Sequence, residues 1–150
     1  MADYVPMFFA SRPPMLNVLH SGLVPAFTKK EDEIVHLVSS VAVVVNNGLP
    51  FCFTDGHAAM YPTSYYTNLG DLDHIDRAVM KARFWASTDD DSSRQQRREA
   101  EFLIWKFLPW RCILSIGCKT VVVAKRLNDI LKGLGKRPRI STERFWYYGK

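Results

Sequence analysis

The sequence has little of what usually declares a function. Its three cysteines, Cys52, Cys112 and Cys118, are an odd number, form no C-x-x-C pair and have no histidine at ligand spacing. A disulfide scaffold and a zinc knuckle are thereby excluded, and the thiols read as buried and reduced in a cytoplasmic protein. No apolar run reaches the length that crosses a bilayer, and Asp3 and Pro6 stand where a secretory signal needs a basic and then an apolar segment. A soluble protein with no membrane partner is expected. Also missing are G-x-G-x-x-G, the P-loop, G-x-S-x-G and H-E-x-x-H, and with them the common dinucleotide, triphosphate, hydrolase and zinc-protease signatures. His20, His36 and His74 share no spacing that suggests a ligand set, so no metal is expected. Internal repeats and linkers are absent too, which predicts one domain over residues 1–150.

What is present supports a real core: 47% of the 150 residues are hydrophobic. The formal charge of +5 suits a polyanionic partner such as nucleic acid or a dinucleotide, although ordinary solubility explains it as well.

Residues 4–9 are aromatic and β-prone and predict a strand stopped by Pro13-Pro14, then a short helix over 15–21 closed by Gly22. A polar loop through Lys29, Lys30, Glu31, Asp32 and Glu33 leads to a β-branched strand over 34–38. Ser39 or Ser40 caps a helix over 41–46, which Asn47-Gly48 ends before a strand over 51–53. Thr54-Asp55-Gly56-His57 reads as a turn that delivers a histidine at a strand end, where sites are commonly built. Tyr61, Tyr65 and Tyr66 fall in a polar loop, and Leu72, Ile75, Val79 and Met80 predict a helix over 69–84.

After Trp85 the acidic stretch TDDDSS gives way at once to Arg94, Arg97 and Arg98. The stretch RREAEFLIWKFLPW, residues 97–110, reads as a strand with Glu99 and Glu101 on the face of Leu103, Trp105 and Phe107. Beyond it the pattern predicts a strand over 112–118, an amphipathic helix over 121–134, a last strand over 137–140 and a packed tail over 145–148. The whole is α+β with a mixed sheet.

Charge on an apolar strand face is costly unless it has partners, so Arg12 after YVPMFFAS and Glu101 within EAEFLIW stand out. An arginine fork suits phosphate, and a carboxylate suits a sugar or a developing cation. On the residues alone, an ordinary surface pair at the sheet edge is the favoured account of them. His57 has the chemistry of a general base, or it only hydrogen-bonds the backbone of its turn. The tyrosines and Trp85 beside Arg83, Arg94, Arg97 and Arg98 suit single-stranded nucleic acid, with packing of Phe84 and Trp85 as the rival account.

Taken in order, DYVPMFFASRPPML, GLPFCFTDGHAAM, Leu72-Asp73-His74-Ile75-Asp76 and RREAEFLIWKFLPW resemble the DarT family of DNA ADP-ribosyltransferase toxins over nearly the whole chain. The resemblance implies an ADP-ribosyltransferase-like split mixed β-sheet with flanking helices, with NAD in its cleft as a substrate. It implies transfer of ADP-ribose to a base, typically thymine, in single-stranded DNA, with a macrodomain antitoxin as partner. The family's arginine falls on Arg12, which would clamp the NAD phosphates or help deprotonate the acceptor base. Its essential glutamate falls on Glu101, which would stabilise oxocarbenium character and hold a ribose hydroxyl. His57 matches a histidine placed to assist the acceptor base. The segment 85–96 resembles the loop that grips a base out of its stack. Met15, Met60, Arg83, Trp85, Arg94, Arg97 and Arg98 are the expected DNA contacts.

Two departures accompany the resemblance. Family members carry an N-terminal strand and a histidine that contact NAD, where this sequence has Met1-Ala2, so a shortened N-terminus is expected. Glu99 stands where the family commonly has glutamine, which bears on base preference. The alternatives to an enzyme are a remnant that binds single-stranded DNA or an antitoxin without NAD chemistry, and a basic nucleic-acid-binding protein.

Overall fold

The computed structural model describes residues 3–28 and 30–149. Met1 and Ala2, to which the shortened N-terminus is assigned, and Lys29 of the polar loop lie outside the described residues. The strands are β1 (Tyr4–Phe8), β2 (Val35–Val38), β3 (Phe51–Thr54), β4 (Tyr65–Tyr66), β5 (Glu101–Trp105), β6 (Ser115–Cys118) and β7 (Arg139–Thr142). The helices are α1 (Pro14–His20), α2 (Val41–Asn46), α3 (Arg77–Lys81), α4 (Arg94–Arg98) and α5 (Val121–Ile130). They fall into two compact units, one made of Met1–Pro14 and Leu49–Leu108, the other of Met15–Gly48 and Pro109–Lys150.

The first unit is built on a four-stranded sheet in the order β1-β5-β3-β4, antiparallel throughout. Flanked on both edges, β5 buries Glu101, Phe102, Leu103 and Ile104 in succession. The Phe102 ring stacks on Phe51 at 4.9 Å and lies 6.1 Å from Phe9 and 6.3 Å from Phe53. Each such ring contributes about 1.5–3 kcal/mol by burial, so β5 is the strand least able to shift. Its register, Phe8↔Glu101 and Phe53↔Phe102, sets Glu101 beside the end of β1 and near the end of β3.

The second unit holds a three-stranded sheet, β2-β6-β7. Strands β2 and β6 pair antiparallel, whereas β6 and β7 pair parallel with α5 as the crossover that parallel neighbours require. A Cβ at Gly117 of β6 would lie 2.3 Å from the Trp146 ring, so only glycine lets that indole in. Buried Tyr147 donates its hydroxyl to the Ile34 carbonyl at 2.8 Å, and burial pushes the phenol well above its usual pKa. The buried Glu31 carboxylate accepts from the Gly149 amide at 2.8 Å and the Tyr148 amide at 2.6 Å, with Lys119 Nζ at 3.3 Å.

The sequence reading needs correction where local hydrogen bonds override periodicity. The expected helix over 69–84 is two pieces, a 3-10 segment Leu69–His74 and α3, because the Asp76 side chain accepts from the Val79 amide and starts a new helix. Arg97 and Arg98 belong to α4 (Arg94–Arg98) instead of extending, so Glu99 ends a helix at φ −90° and ψ 11° and shares no strand face with Glu101. Cys112 belongs to a 3-10 turn, α5 stops at Ile130, and the last strand runs Arg139–Thr142. In the tail Tyr147 packs as expected while Phe145 is exposed. The parallel pairing that makes a sheet mixed lies in the second unit. No helix of the described residues is long and apolar enough to cross a membrane.

Candidate active site

The site is assembled where the turn after β3 meets the start of β5. Thr54, fully buried, donates its hydroxyl to the Gly56 carbonyl at 2.7 Å and accepts the Glu101 amide at 3.2 Å. One side chain therefore closes the turn and fixes the residue that opens β5. The Glu101 side chain then turns back, and its Oε2 accepts the Ala58 amide at 2.9 Å. Glu101 is only 6% exposed, so this charge-assisted bond offsets part of the cost of burying the carboxylate. Among the described residues no protein donor meets Oε1, which leaves that oxygen for a ligand hydroxyl or a developing positive charge.

The same turn carries His57. Its Nδ1 accepts the Ala59 amide at 3.0 Å, so a neutral ring holds its proton on Nε2 and can donate there. Of the two roles expected of His57, the hydrogen bond to the backbone of its turn is present. Asp55 braces the turn by accepting from the Ser64 amide at 2.9 Å and the Tyr66 hydroxyl at 3.3 Å. The Tyr65 hydroxyl bonds the Ala58 carbonyl and Gln96 reaches the Pro62 carbonyl, so the loop over 55–66 is tied at several points. Glu99 lies within electrostatic reach of both His57 and Glu101. Burial, aided by the Glu101 charge, pushes its carboxyl up, and His57 pulls it back in part.

Arg12 follows β1 by a short loop. Its side chain is half-buried and its carbonyl accepts from Arg98 Nε at 3.2 Å. The Arg98 Nη1 also meets the carbonyls of Met80 at 2.8 Å, Ala82 at 3.1 Å and Val79. At 2% exposure Arg98 cannot reach a phosphate, so its place among the DNA contacts is corrected: it binds main chain. Trp85 is buried as well and packs rather than offering a stacking face. Arg97 is partly exposed but braced, with Nε on Asp76 at 2.9 Å and its fork on Asp91 at 2.9 and 3.0 Å. Arg94 donates to the Phe84 carbonyl at 3.0 Å and lies 4.0 Å from Asp91.

Of the remaining expected DNA contacts, Met60 and Arg83 are exposed in the first unit, with the Arg83 guanidinium 5.7 Å from the Phe84 ring centre. Met15 is exposed in the second unit. Sequence reasoning missed Thr54 and the Ala58 amide, the two groups that fix Glu101. The adjacency of a threonine to Asp-Gly was the available signal, since that hydroxyl commonly closes such turns. The thiols of Cys52, Cys112 and Cys118 are free, the first half-buried and the others buried.

A buried carboxylate with one anchored oxygen, on a turn that also carries a histidine, has the chemistry of a glycosyl-transfer enzyme. The profile of the family described as ssDNA thymidine ADP-ribosyltransferase, DarT, matches residues 1–148, and the chain belongs to that family. The chain is 35% identical over 148 residues to the DNA ADP-ribosyl transferase of Thermus sp. (strain 2.9), covering 97% of this chain and 69% of that protein. Solved structures of Thermus sp. 2.9 DarT superpose with a TM-score of 0.91 in complex with NAD+ and 0.90 in complex with ADP-ribosylated ssDNA. Both are 34% identical and cover 97% of this chain, with 73% and 69% of the solved chains matched. The resemblance drawn from the sequence blocks and the ADP-ribosyltransferase-like fold are thus borne out.

Proposed function

We propose that residues 1–150 form the catalytic domain of an enzyme that transfers ADP-ribose from NAD to a thymine base in single-stranded DNA. The Glu101 geometry carries the reading: a desolvated carboxylate pinned by a main-chain amide, at the start of the most buried strand, beside the histidine turn. In the reaction the bond from ribose C1′ to nicotinamide breaks, a bond from C1′ to a base nitrogen forms, and the base gives up its proton. Glu101 Oε2 stays on the Ala58 amide while Oε1 faces the positive charge that develops on the ribose. Arg12, its main chain held by Arg98, supplies the fork for the NAD phosphates. His57 donates from Nε2 to a carbonyl of the acceptor base, and Glu99, a carboxylate made more basic by burial, takes the proton that the base gives up.

Thymine rather than another base follows the family description, and Met60 and Arg83 are the exposed contacts on the DNA side. A toxin held in check by a macrodomain antitoxin, acting in the cytoplasm where its free thiols stay reduced, fits the same reading. The test incubates the protein with NAD and a thymine-containing single-stranded oligonucleotide, beside Glu101→Gln, and follows oligonucleotide mass. An ADP-ribose adduct with the native chain and about a hundredfold less with the variant is expected. No adduct from the native chain, with DNA binding intact, sinks the reading.

A further inference from the structure

The charge of the chain is not shared between its units. The first unit has eight Lys and Arg against ten Asp and Glu, net −2, and the second has twelve against five, net +7. All of the excess that suits a polyanion therefore belongs to the second unit, whereas Glu101 belongs to the first. Within the second unit ten of the twelve cations fall in Pro109–Lys150, against only Asp129 and Glu143.

Part of that excess is gathered into a built surface. Trp110, 39% exposed, donates Nε1 to the Lys136 carbonyl at 3.1 Å, and Lys136 Nζ returns a bond to the Arg111 carbonyl. Arg111 Nε meets Asn47 Oδ1 at 3.1 Å, and Arg137 Nε meets the Leu134 carbonyl at 3.4 Å. Arg139 opens the edge strand β7, where its amide bonds the Leu114 carbonyl at 3.3 Å. All four cations are exposed. Every partner just named for them is neutral, and among the described residues no carboxylate stands within ion-pair distance of Arg111, Lys136, Arg137 or Arg139. In the first unit, by contrast, Arg97 and Arg94 are engaged by acids, and Arg98 is buried on carbonyls.

We propose that Trp110, Arg111, Lys136, Arg137 and Arg139 form a second contact surface for single-stranded DNA. Uncompensated exposed cations gain by releasing counterions from phosphates, and an exposed indole among them gives an unpaired base a face to stack on. The inference rests on the DNA reading above but not on the chemistry at Glu101. It assigns to the second unit the affinity for the strand and leaves to the first the choice of base.

The test measures binding of the full chain to a long homopolymeric single strand and to a short oligonucleotide by fluorescence anisotropy across a salt series, without NAD. The variant carries Arg111→Gln, Lys136→Gln, Arg137→Gln and Arg139→Gln, with Lys125→Gln/Arg126→Gln on α5 as the comparison. The expected result is about tenfold or greater loss on the long strand, with the salt slope flattened by roughly 0.7 for each phosphate contact removed. Affinity for the short oligonucleotide stays unchanged. An unaltered slope, an equal loss from the α5 pair, or duplex DNA competing as well as single-stranded DNA would overturn the proposal. Should the fourfold variant not fold, Lys136→Gln/Arg137→Gln is read in its place. Because binding is scored without NAD, failure of transfer in the native chain is distinguishable from failure of this surface.

Discussion

The two units spend arginine in opposite ways. In the first, Arg97 cross-links Asp76 to Asp91 and Arg98 gathers the carbonyls of Arg12, Met80 and Ala82, so both act as fasteners for the segment ahead of β5. In the second, Arg111, Arg137 and Arg139 keep their charge exposed. A cluster of arginines next to an active-site motif is thus no footprint of a polyanion in itself. What decides is whether acids or carbonyls already occupy the guanidinium groups.

The sharpest way to break this contrast is Arg98→Met. If Arg98 is a fastener, several buried carbonyls lose their donor, stability falls by about 3 kcal/mol or more in urea unfolding, and the Arg12 loop loses its anchor. An Arg98→Met chain as stable as the native one would return Arg98 to the surface. Next in size, Glu101→Gln lowers transfer about a hundredfold while thermal unfolding and long-strand affinity stay close to native, separating the chemistry of the first unit from the binding of the second. Arg97→Gln, which removes the guanidinium that links Asp76 to Asp91, costs about 1 kcal/mol after allowance for its partial exposure, and it changes the salt dependence of DNA binding little.

The smallest effect is expected at Glu99. Its folded pKa is raised, so its protonated form favours the native state below the unfolded value near 4.5, and that contribution is lost as pH rises through the folded value. Glu99→Gln therefore unfolds at a higher temperature than the native chain at neutral pH, and the difference closes below about pH 4.5. A gap that persists in acid would point to packing instead of charge.

Much of the fold was legible because its signals are local. Pro13-Pro14 after an aromatic run, Ser40 before Val41 and the β-branched strands all gave elements close to those observed, and Ser40 accepts the Val43 amide as a cap should. The long blocks around Arg12, His57 and Glu101 led to the family. What failed depended on partners distant in sequence. Arg97 and Arg98 read as a strand entrance because their acids and carbonyls lie 6 to 86 residues away. Trp85 read as a stacking face because its burial cannot be seen from its neighbours alone. The anchoring of Glu101 was hidden for the opposite reason, since an amide leaves no mark in the identity of Ala58.

That last point reaches further than the site itself. A carboxylate steadied by another side chain can be cut loose by one codon in many ways, whereas one steadied by a main-chain amide is vulnerable at that position chiefly to proline. Ala58 is buried, so bulk is limited there, but small residues of differing chemistry would leave the grip on Glu101 intact. The turn is thus free to change the side chains it exposes while keeping hold of the Glu101 carboxylate, and one face of the loop can diverge without loosening the group on the other.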